Sequence, residues 1–219
     1  MTDAIVIGGG VIGLSIAREL SSSGMETIVL EKNERAGDVT SSRNSGVIHA
    51  GIYYPENFLK TKLCVEGNRL IYEYAKEKNI KHKKYGKFII ASNIKELSSL
   101  EKILTQGKKN NVEISMVEND KVLKNNPELI FYKALYSPNS GVIDVPEYVT
   151  ALEGDIQHFG GLISLRTSFL SAKKNNNKFI VACSAEDEFE IECKFLINCS
   201  GLSNESTLAN IKSFPKDKI

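Results

Sequence analysis

The first residues that could do chemistry form a glycine-rich turn with the spacing of a phosphate-binding loop. The pattern G-x-G-x-x-G runs from Gly8 to Gly13, after an apolar run at residues 3–8 that predicts a buried strand. Residues 11–20 follow with apolar side chains at helical spacing. Glycines in this context permit a tight turn, close approach of backbone amides to a pyrophosphate, and a helix N-terminus that faces the phosphates. This pattern predicts a dinucleotide site, and a purely structural turn is the alternative. The residues predicted to form it are Gly8, Gly10, Val11, Ile12 and Gly13.

A carboxylate completes the pattern 18 residues beyond Gly13. Glu31 ends a second predicted strand at residues 27–31, so strand, helix and strand make a βαβ unit of the usual size, about 30 residues. A carboxylate at this position can accept hydrogen bonds from both hydroxyls of a ribose and repels a 2′-phosphate. FAD and NAD share this fingerprint, so the choice between them depends on other parts of the chain.

Two later segments favour FAD. Residues 40–51 form a polar, glycine-spaced segment. Its first part, residues 40–46, can return to the cofactor, and its hydroxyl, amide and guanidinium groups suit phosphate and flavin edges. A strand predicted at residues 195–199 ends in small residues that could bring a second backbone segment against the pyrophosphate. An ordinary polar loop and a plain strand end are the alternatives. The further predicted cofactor-binding residues are Lys32, Ser41, Ser42, Arg43, Asn44, Ser45, Ser200 and Gly201.

The elements that must position these groups alternate between helices and strands. Helical periodicity and cap signals predict helices at residues 59–78, 95–108, 146–159 and, as one short helix, 205–211. Short β-rich runs between turn signals predict strands at residues 87–91, 112–117, 131–136, 162–170, 179–183, 189–193 and 195–199. This pattern is typical of the α/β class.

Composition excludes several kinds of partner. Lys and Arg number 28 against 27 Asp and Glu, and the net charge of +1 gives no long-range field that would recruit nucleic acid. The cysteines lack C-x-x-C spacing and the histidines do not fall at ligand spacings, so no metal site is predicted. No apolar run approaches the roughly 18 to 20 residues that cross a bilayer. We expect a globular protein of the cytoplasm, with peripheral contact to the inner membrane left open.

One continuous stretch carries a resemblance to a known family. With the glycine turn and Glu31, residues 44–54, Asn-Ser-Gly-Val-Ile-His-Ala-Gly-Ile-Tyr-Tyr, resemble the D-amino-acid-oxidase-like FAD superfamily and, within it, the L-2-hydroxyglutarate dehydrogenase branch. Similarity continues through four more segments, so the resemblance covers nearly the whole chain. These segments are residues 59–64, 85–87, 140–144 and 198–202.

The resemblance implies an architecture. It is a Rossmann-like FAD-binding domain with an inserted mixed-sheet substrate domain, α/β in class and α+β taken as a whole. Chains of this family continue well beyond residue 219, so this one is expected to be truncated at the C-terminus. The expected division is residues 1–80 for the first part of the FAD-binding domain, 81–145 for a portion of the substrate domain, and 146–219 for the return to the FAD-binding domain.

The resemblance also implies a reaction. A 2-hydroxy acid, here L-2-hydroxyglutarate, would lose a hydride to FAD and become a 2-oxo acid, with a quinone or oxygen as the final electron acceptor. His49 is the candidate catalytic base, because imidazole titrates near neutral pH. Tyr53 and Tyr54 are weaker candidates for substrate contact, with aromatic packing as the alternative. Phe169 would contact adenine through its backbone.

Two alternative functions stay open at this point. One is a catalytically silent FAD-binding fragment, or a subunit of a split enzyme that a complementing C-terminal half would complete. The other is an amine or amino-acid oxidase of the same fold, which the stretch at residues 47–54 disfavours.

Overall fold

A computed structural model describes residues 1–124 and 126–219. Its strands are β1 (Thr2–Ile7), β2 (Thr27–Leu30), β3 (Val47–Ile48), β4 (His82–Lys83), β5 (Lys87–Ala91), β6 (Ser115–Val117), β7 (Lys133–Ser137), β8 (Gly141–Ile143), β9 (Leu162–Ser164), β10 (Ser168–Asn175), β11 (Lys178–Ser184) and β12 (Glu188–Asn198). Its α-helices are α1 (Val11–Ser22), α2 (Leu59–Glu77), α3 (Leu97–Lys109), α4 (Asn119–Leu123), α5 (Val145–His158) and α6 (Asn204–Ala209). The α/β class predicted from the sequence is confirmed.

The chain divides into two compact units. The first comprises Met1–Asn44 with Val145–Ile219, and the second is Ser45–Asp144. The sequence-based division placed residues 45–80 with the first part of the FAD-binding domain, whereas here they belong to the second unit. The physical reason is that β3 pairs with β8, and Val65 of α2 packs against the apolar cluster around Leu135.

The first unit is built on a six-stranded sheet of order β10-β11-β12-β1-β2-β9. The strands β12, β1, β2 and β9 run parallel, with Ile5 in register with both Leu196 and Ile28. On the other side, β10, β11 and β12 form an antiparallel meander. Because parallel strands end at the same edge of a sheet, the carboxyl ends of β12, β1 and β2 meet there, which is where α/β proteins bind ligands.

The core of the first unit explains why its strands form. Ala4, Ile5 and Val6 of β1 are all 0% exposed, as expected for a central strand covered on both faces. The helices α1 and α5 pack together, and Arg18 Nε donates to Asp155 Oδ2 at 2.8 Å between them. None of the helices in the described residues is both long and apolar enough to span a membrane.

Several strand boundaries differ from the sequence-based expectation. The predicted strand at residues 162–170 is two strands, β9 and β10, because Arg166 between them has the positive φ of 52° and breaks the extended backbone. The two predicted strands at residues 189–193 and 195–199 are one, β12, since it pairs first with β11 and then with β1. Residues 47–48 pair with β8 inside what was predicted as a polar loop.

The second unit contains two three-stranded sheets, β3-β8-β4 and β5-β7-β6. In both of these sheets the neighbouring strands are antiparallel. Among the described residues, the parallel strand pairs therefore lie in the six-stranded sheet. The helix α3 covers one sheet through Leu100, which packs with Ile114 and Leu135. All three side chains are less than 9% exposed, so this unit has an apolar core of its own.

Candidate cofactor-binding site

A cavity of about 710 Å³ lies in the first unit, at the carboxyl ends of β12, β1 and β2. This volume falls within the range of about 300–1,000 Å³ that is usual for small-molecule sites. Eleven of the fifteen predicted cofactor-binding residues line it, although they come from five separate segments of the chain. They are Gly8, Gly10, Val11, Ile12, Glu31, Lys32, Ser41, Asn44, Phe169, Ser200 and Gly201.

The glycines allow three backbone segments to touch. Gly8 has φ of 104°, and a Cβ placed on it would lie 2.5 Å from the carbonyl oxygen of Cys199. A Cβ on Gly13 would overlap the carbonyl oxygen of Gly8 and lie 3.3 Å from Cys199 Cβ. A side chain at either position would therefore push apart the turn after β1, the start of α1 and the segment after β12.

The N-terminus of α1 opens on this cavity. Its N-cap, Gly10, has no side chain that could satisfy the first N–H groups of the helix. Ser41 accepts a hydrogen bond from the Val11 N–H at 3.0 Å, which fixes the polar segment to the start of the helix. Val11 and Ile12 line the cavity, so the positive end of the helix dipole suits an anionic group there.

The Glu31 carboxylate is fixed in the wall. Its Oε2 accepts from the Gly9 N–H at 2.8 Å, and its Oε1 accepts from the Asn33 N–H at 2.9 Å and from Asn33 Nδ2 at 2.7 Å. The backbone is held as well, because the Glu31 N–H donates to Ser164 and its carbonyl oxygen accepts from Thr167. The residue is only 8% exposed, so its carboxylate has few other orientations available.

The segment after β12 is held by its own hydrogen bonds. Ser200 donates to Asn198 Oδ1 through its N–H at 3.1 Å and its hydroxyl at 2.7 Å, and Asn198 Nδ2 donates to Asn204 Oδ1. The Cys199 N–H donates to the Ile7 carbonyl oxygen at 2.8 Å, which places the segment beside the glycine turn. Burial raises the pKa of the Cys199 thiol, so this side chain stays neutral at physiological pH.

Comparison with known sequences decides the family. The sequence model of the family described as "DAO: FAD dependent oxidoreductase" matches residues 3–216. The chain belongs to the FAD dependent oxidoreductase family. Its fold, its family and its cofactor, FAD, were therefore predicted correctly from the sequence.

Several curated relatives carry the same name. The chain is 35% identical to L-2-hydroxyglutarate dehydrogenase, mitochondrial, of Arabidopsis thaliana, over 93% of this chain and 48% of that protein. It is 32% identical to the protein of the same name from Homo sapiens, over 93% of this chain and 46% of that protein. The chain thus spans about half the length of the curated relatives it matches. The expected cytoplasmic location is wrong, because these relatives are named as mitochondrial, and the lack of a membrane-spanning run does not distinguish one compartment from another.

Two solved structures share the fold. L-alpha-glycerophosphate oxidase from Mycoplasma pneumoniae with FAD bound has a TM-score of 0.82 at 26% identity, over 89% of this chain and 53% of that chain. Glycine oxidase from Geobacillus kaustophilus has a TM-score of 0.84 at 20% identity, over 95% of this chain and 58% of that chain, a likeness of fold alone.

Four predicted cofactor-binding residues do not line the cavity. Gly13 is buried beneath the turn, where it permits the close approach of α1. Ser42 uses its hydroxyl to donate to the backbone oxygens of Asp38 and Val39, and Arg43 is exposed. Ser45 is the first residue of the second unit. Contact of these residues with the cofactor stays a prediction.

The three predicted catalytic and substrate residues lie in the second unit. The His49 side chain is exposed, and its carbonyl oxygen accepts from Asn68 Nδ2 at 3.0 Å. Lys87 Nζ lies 5.0 Å from the ring centroid of Tyr53, and Lys60 Nζ lies 4.4 Å from that of Tyr54. Both tyrosine rings thus face an ammonium group, and the roles of all three residues stay predictions.

Several residues of the cavity were missed in the sequence. Thr167 and Asn33 line it beside Glu31, but nothing in their local sequence sets them apart from ordinary turn residues. Leu202 lines it as well and is 88% exposed, while Ile12 is 66% exposed. Large apolar side chains left open in a concave wall suit a planar aromatic ligand such as flavin or adenine, and Leu202, directly after Gly201, could have been noticed for this reason.

Proposed function

We propose that the chain binds FAD in the cavity of its first unit and serves as the FAD-binding portion of an enzyme that oxidises a 2-hydroxy acid to a 2-oxo acid. The observation that supports cofactor binding most directly is that residues from five segments of the chain line a single cavity around the glycine turn. Bound FAD would supply the acceptor for the hydride that leaves the substrate carbon. The chain itself would bind and orient the cofactor.

Each part of the cavity has a proposed role in holding FAD. The N–H groups at the start of α1, with Gly8 and Gly10, suit the pyrophosphate because they combine close backbone approach with the positive end of the dipole. Glu31 suits the ribose, since a fixed carboxylate accepts hydrogen bonds from hydroxyls. Phe169 would contact adenine through its backbone, and Gly201 would close over the pyrophosphate.

The proposed substrate is L-2-hydroxyglutarate. Its support is 35% identity with an L-2-hydroxyglutarate dehydrogenase over 93% of the chain, which includes the stretch at residues 44–54. A substrate with a CH–OH group also agrees with the 26% identity to a glycerophosphate oxidase, whereas the glycine oxidase is 20% identical. A quinone or oxygen as electron acceptor belongs to the same proposal.

His49 is the proposed base for the substrate hydroxyl proton. Its imidazole is exposed, and Asn68 holds its backbone from the adjacent α2. Histidine is the side chain most often used as a general base. Tyr53 and Tyr54 are the proposed substrate contacts, and each lies beside a lysine ammonium of the kind that attracts a carboxylate.

The test is the visible spectrum of the purified chain with FAD, before and after anaerobic addition of L-2-hydroxyglutarate. We expect a bound-flavin spectrum that bleaches, and bleaching about a hundredfold slower or more in His49→Gln, because general base catalysis typically contributes that much. Binding of FAD should not change in this variant. The matched control is His158→Gln, at an exposed histidine of the first unit.

Other outcomes separate the alternatives. Bleaching by glycine but not by L-2-hydroxyglutarate would contradict the hydroxy-acid proposal and favour an amine oxidase. Bound flavin that no substrate reduces would favour the alternative of a catalytically silent FAD-binding fragment, or of a subunit that another polypeptide completes. A chain that binds no FAD would contradict the proposal at its first step.

A further inference from the structure

On the ribose side of the cavity, the Glu31 carboxylate has one free acceptor position fewer than the two hydroxyls of a ribose diol need. We propose that Asn33 acts with Glu31 as a ribose-binding and positioning residue, so that the two side chains together bind the diol of the ADP ribose. This inference rests on the proposed binding of FAD in the cavity. It assigns a role to a residue that the sequence motif does not include.

The acceptor positions of Glu31 can be counted. An ionised carboxylate offers about four lone-pair positions, two on each oxygen. On Oε1 both are taken by Asn33, through its N–H at 2.9 Å and its Nδ2 at 2.7 Å. On Oε2 one is taken by the Gly9 N–H at 2.8 Å. One position on Oε2 is therefore left for the ligand, although a ribose diol has two hydroxyls to satisfy.

Asn33 can supply the second acceptor. It lines the same cavity and is half-buried. Its Nδ2 is engaged with Glu31, while its Oδ1 accepts no hydrogen bond from any described residue. An amide oxygen beside a carboxylate can accept from the second hydroxyl of a neighbouring diol. The pair thus offers two acceptors where Glu31 alone offers one.

The position of Asn33 is set by the surrounding backbone. Its carbonyl oxygen accepts from the Arg166 N–H at 3.0 Å, in the link between β9 and β10. The φ of Arg166 is 52°, so this link makes a tight turn towards Asn33. Since the Asn33 N–H also donates to Glu31, both backbone hydrogen-bonding groups of the residue are engaged. An acceptor held in this way loses little conformational freedom when the ligand binds.

The test measures the affinity of the full chain for ADP and for 2′,3′-dideoxy-ADP by calorimetry. In Asn33→Ala the Asn33 N–H bond to Glu31 is kept, and the side-chain donor and acceptor are lost. The position that this frees on Glu31 Oε1 points to the place of the lost amide, so it does not replace Asn33 Oδ1 as an acceptor unless the ligand moves. We expect ADP to bind about fivefold more weakly to this variant, as for the loss of one hydrogen bond between neutral groups. The affinity for dideoxy-ADP should change less than about twofold, because that ligand lacks the two ribose hydroxyls that would bind Glu31 and Asn33.

Asn177→Ala is the matched control. Asn177 lies in the turn between β10 and β11 of the same unit and does not line the cavity, so neither affinity should change. Retained binding of dideoxy-ADP by Asn33→Ala also shows that the variant is folded.

Three results would overturn the inference. The first is an equal loss of both ligands in Asn33→Ala, which would indicate a structural role. The second is no loss of either ligand, and the third is a wild-type chain that binds ADP and dideoxy-ADP equally well. Oxidation of substrate plays no part in the measurement, so failure of the proposed hydroxy-acid activity would leave this result unchanged.

Discussion

The replacement of Gly13 by alanine tests the contact that holds the cavity together. In the folded protein the added Cβ would lie 3.2 Å from the carbonyl carbon of Gly8 and overlap its oxygen. Gly154 of α5 provides the matched replacement, because a Cβ there meets nothing within 4 Å. Both glycines are helical and belong to the same unit, so the two substitutions differ mainly in what the methyl group touches.

The expected free energies have opposite signs. In a helix interior, alanine is favoured over glycine by about 0.8–1 kcal/mol, and Gly154→Ala should gain roughly that much. Gly13→Ala gains at most the same amount, because Gly13 lies in the first turn of α1, and it must displace a backbone carbonyl, an overpacking cost of about 3 kcal/mol. The net result is a loss of about 2 kcal/mol in the free energy of unfolding, or more, because a carbonyl oxygen cannot rotate away as a side chain does.

The measurement is the Tm of each variant and of the wild type, obtained from thermal unfolding followed by circular dichroism. For a chain of this size about 1 kcal/mol shifts Tm by roughly 2–4 °C, so we expect Gly13→Ala to unfold at least about 4 °C below the wild type and Gly154→Ala about 2–3 °C above it. FAD affinity should fall only in Gly13→Ala. If both substitutions raise Tm alike, then α1 does not approach the turn after β1 as described, and the reasoning about the cavity fails with it.

The remaining predictions concern the ion pair between α1 and α5 and two buried thiols. Asp155→Ala removes the acceptor of Arg18 Nε, whose side chain is 25% exposed and also pairs with Glu19, so urea unfolding should show a loss of about 1.5 kcal/mol; an unchanged midpoint would contradict this. Burial raises the pKa of Cys183 and Cys193 to about 11, above the ordinary value of 9.0. The folded state therefore holds these protons more tightly, so the stability from the neutral thiols is complete below pH 9 and is lost as pH rises from 9 to 11. Tm measured across that window should fall more steeply for the wild type than for Cys183→Ala, and parallel curves would contradict the assignment.

The sequence predicted the parts of the fold that local pattern controls. The βαβ unit was placed within two residues at each end, because β1 and β2 are short apolar runs and the glycines mark the turn between β1 and α1. Local pattern failed where pairing between distant segments decides the structure. The strands β3 and β8 are two and three residues long, too short for any periodicity, and they exist because Val47 pairs with Val142.

The residues of the cavity also divide into those that local sequence pattern predicts and those that only the structure reveals. Gly8, Gly10 and Glu31 could be found because their spacing follows from one supersecondary unit. Thr167 could not, since it reaches the cavity only through the link between β9 and β10, where its N–H donates to the Glu31 carbonyl oxygen. Asn33 is two residues from Glu31, but only the structure shows that its side chain turns back to the carboxylate.

A single strand brings the late part of the cavity to the early part. Cys193 of β12 pairs with Phe179 of β11 on one side and with Thr2 of β1 on the other, so the strand changes from antiparallel to parallel partners near its middle. Its first half closes the meander, and its second half runs beside β1 to the sheet edge. The segment after Asn198 therefore arrives next to Gly8 without a loop to position it. Residues nearly 200 positions apart in the sequence can thus form one rigid cavity wall, because the register of β12 against β1 fixes where each of them lies.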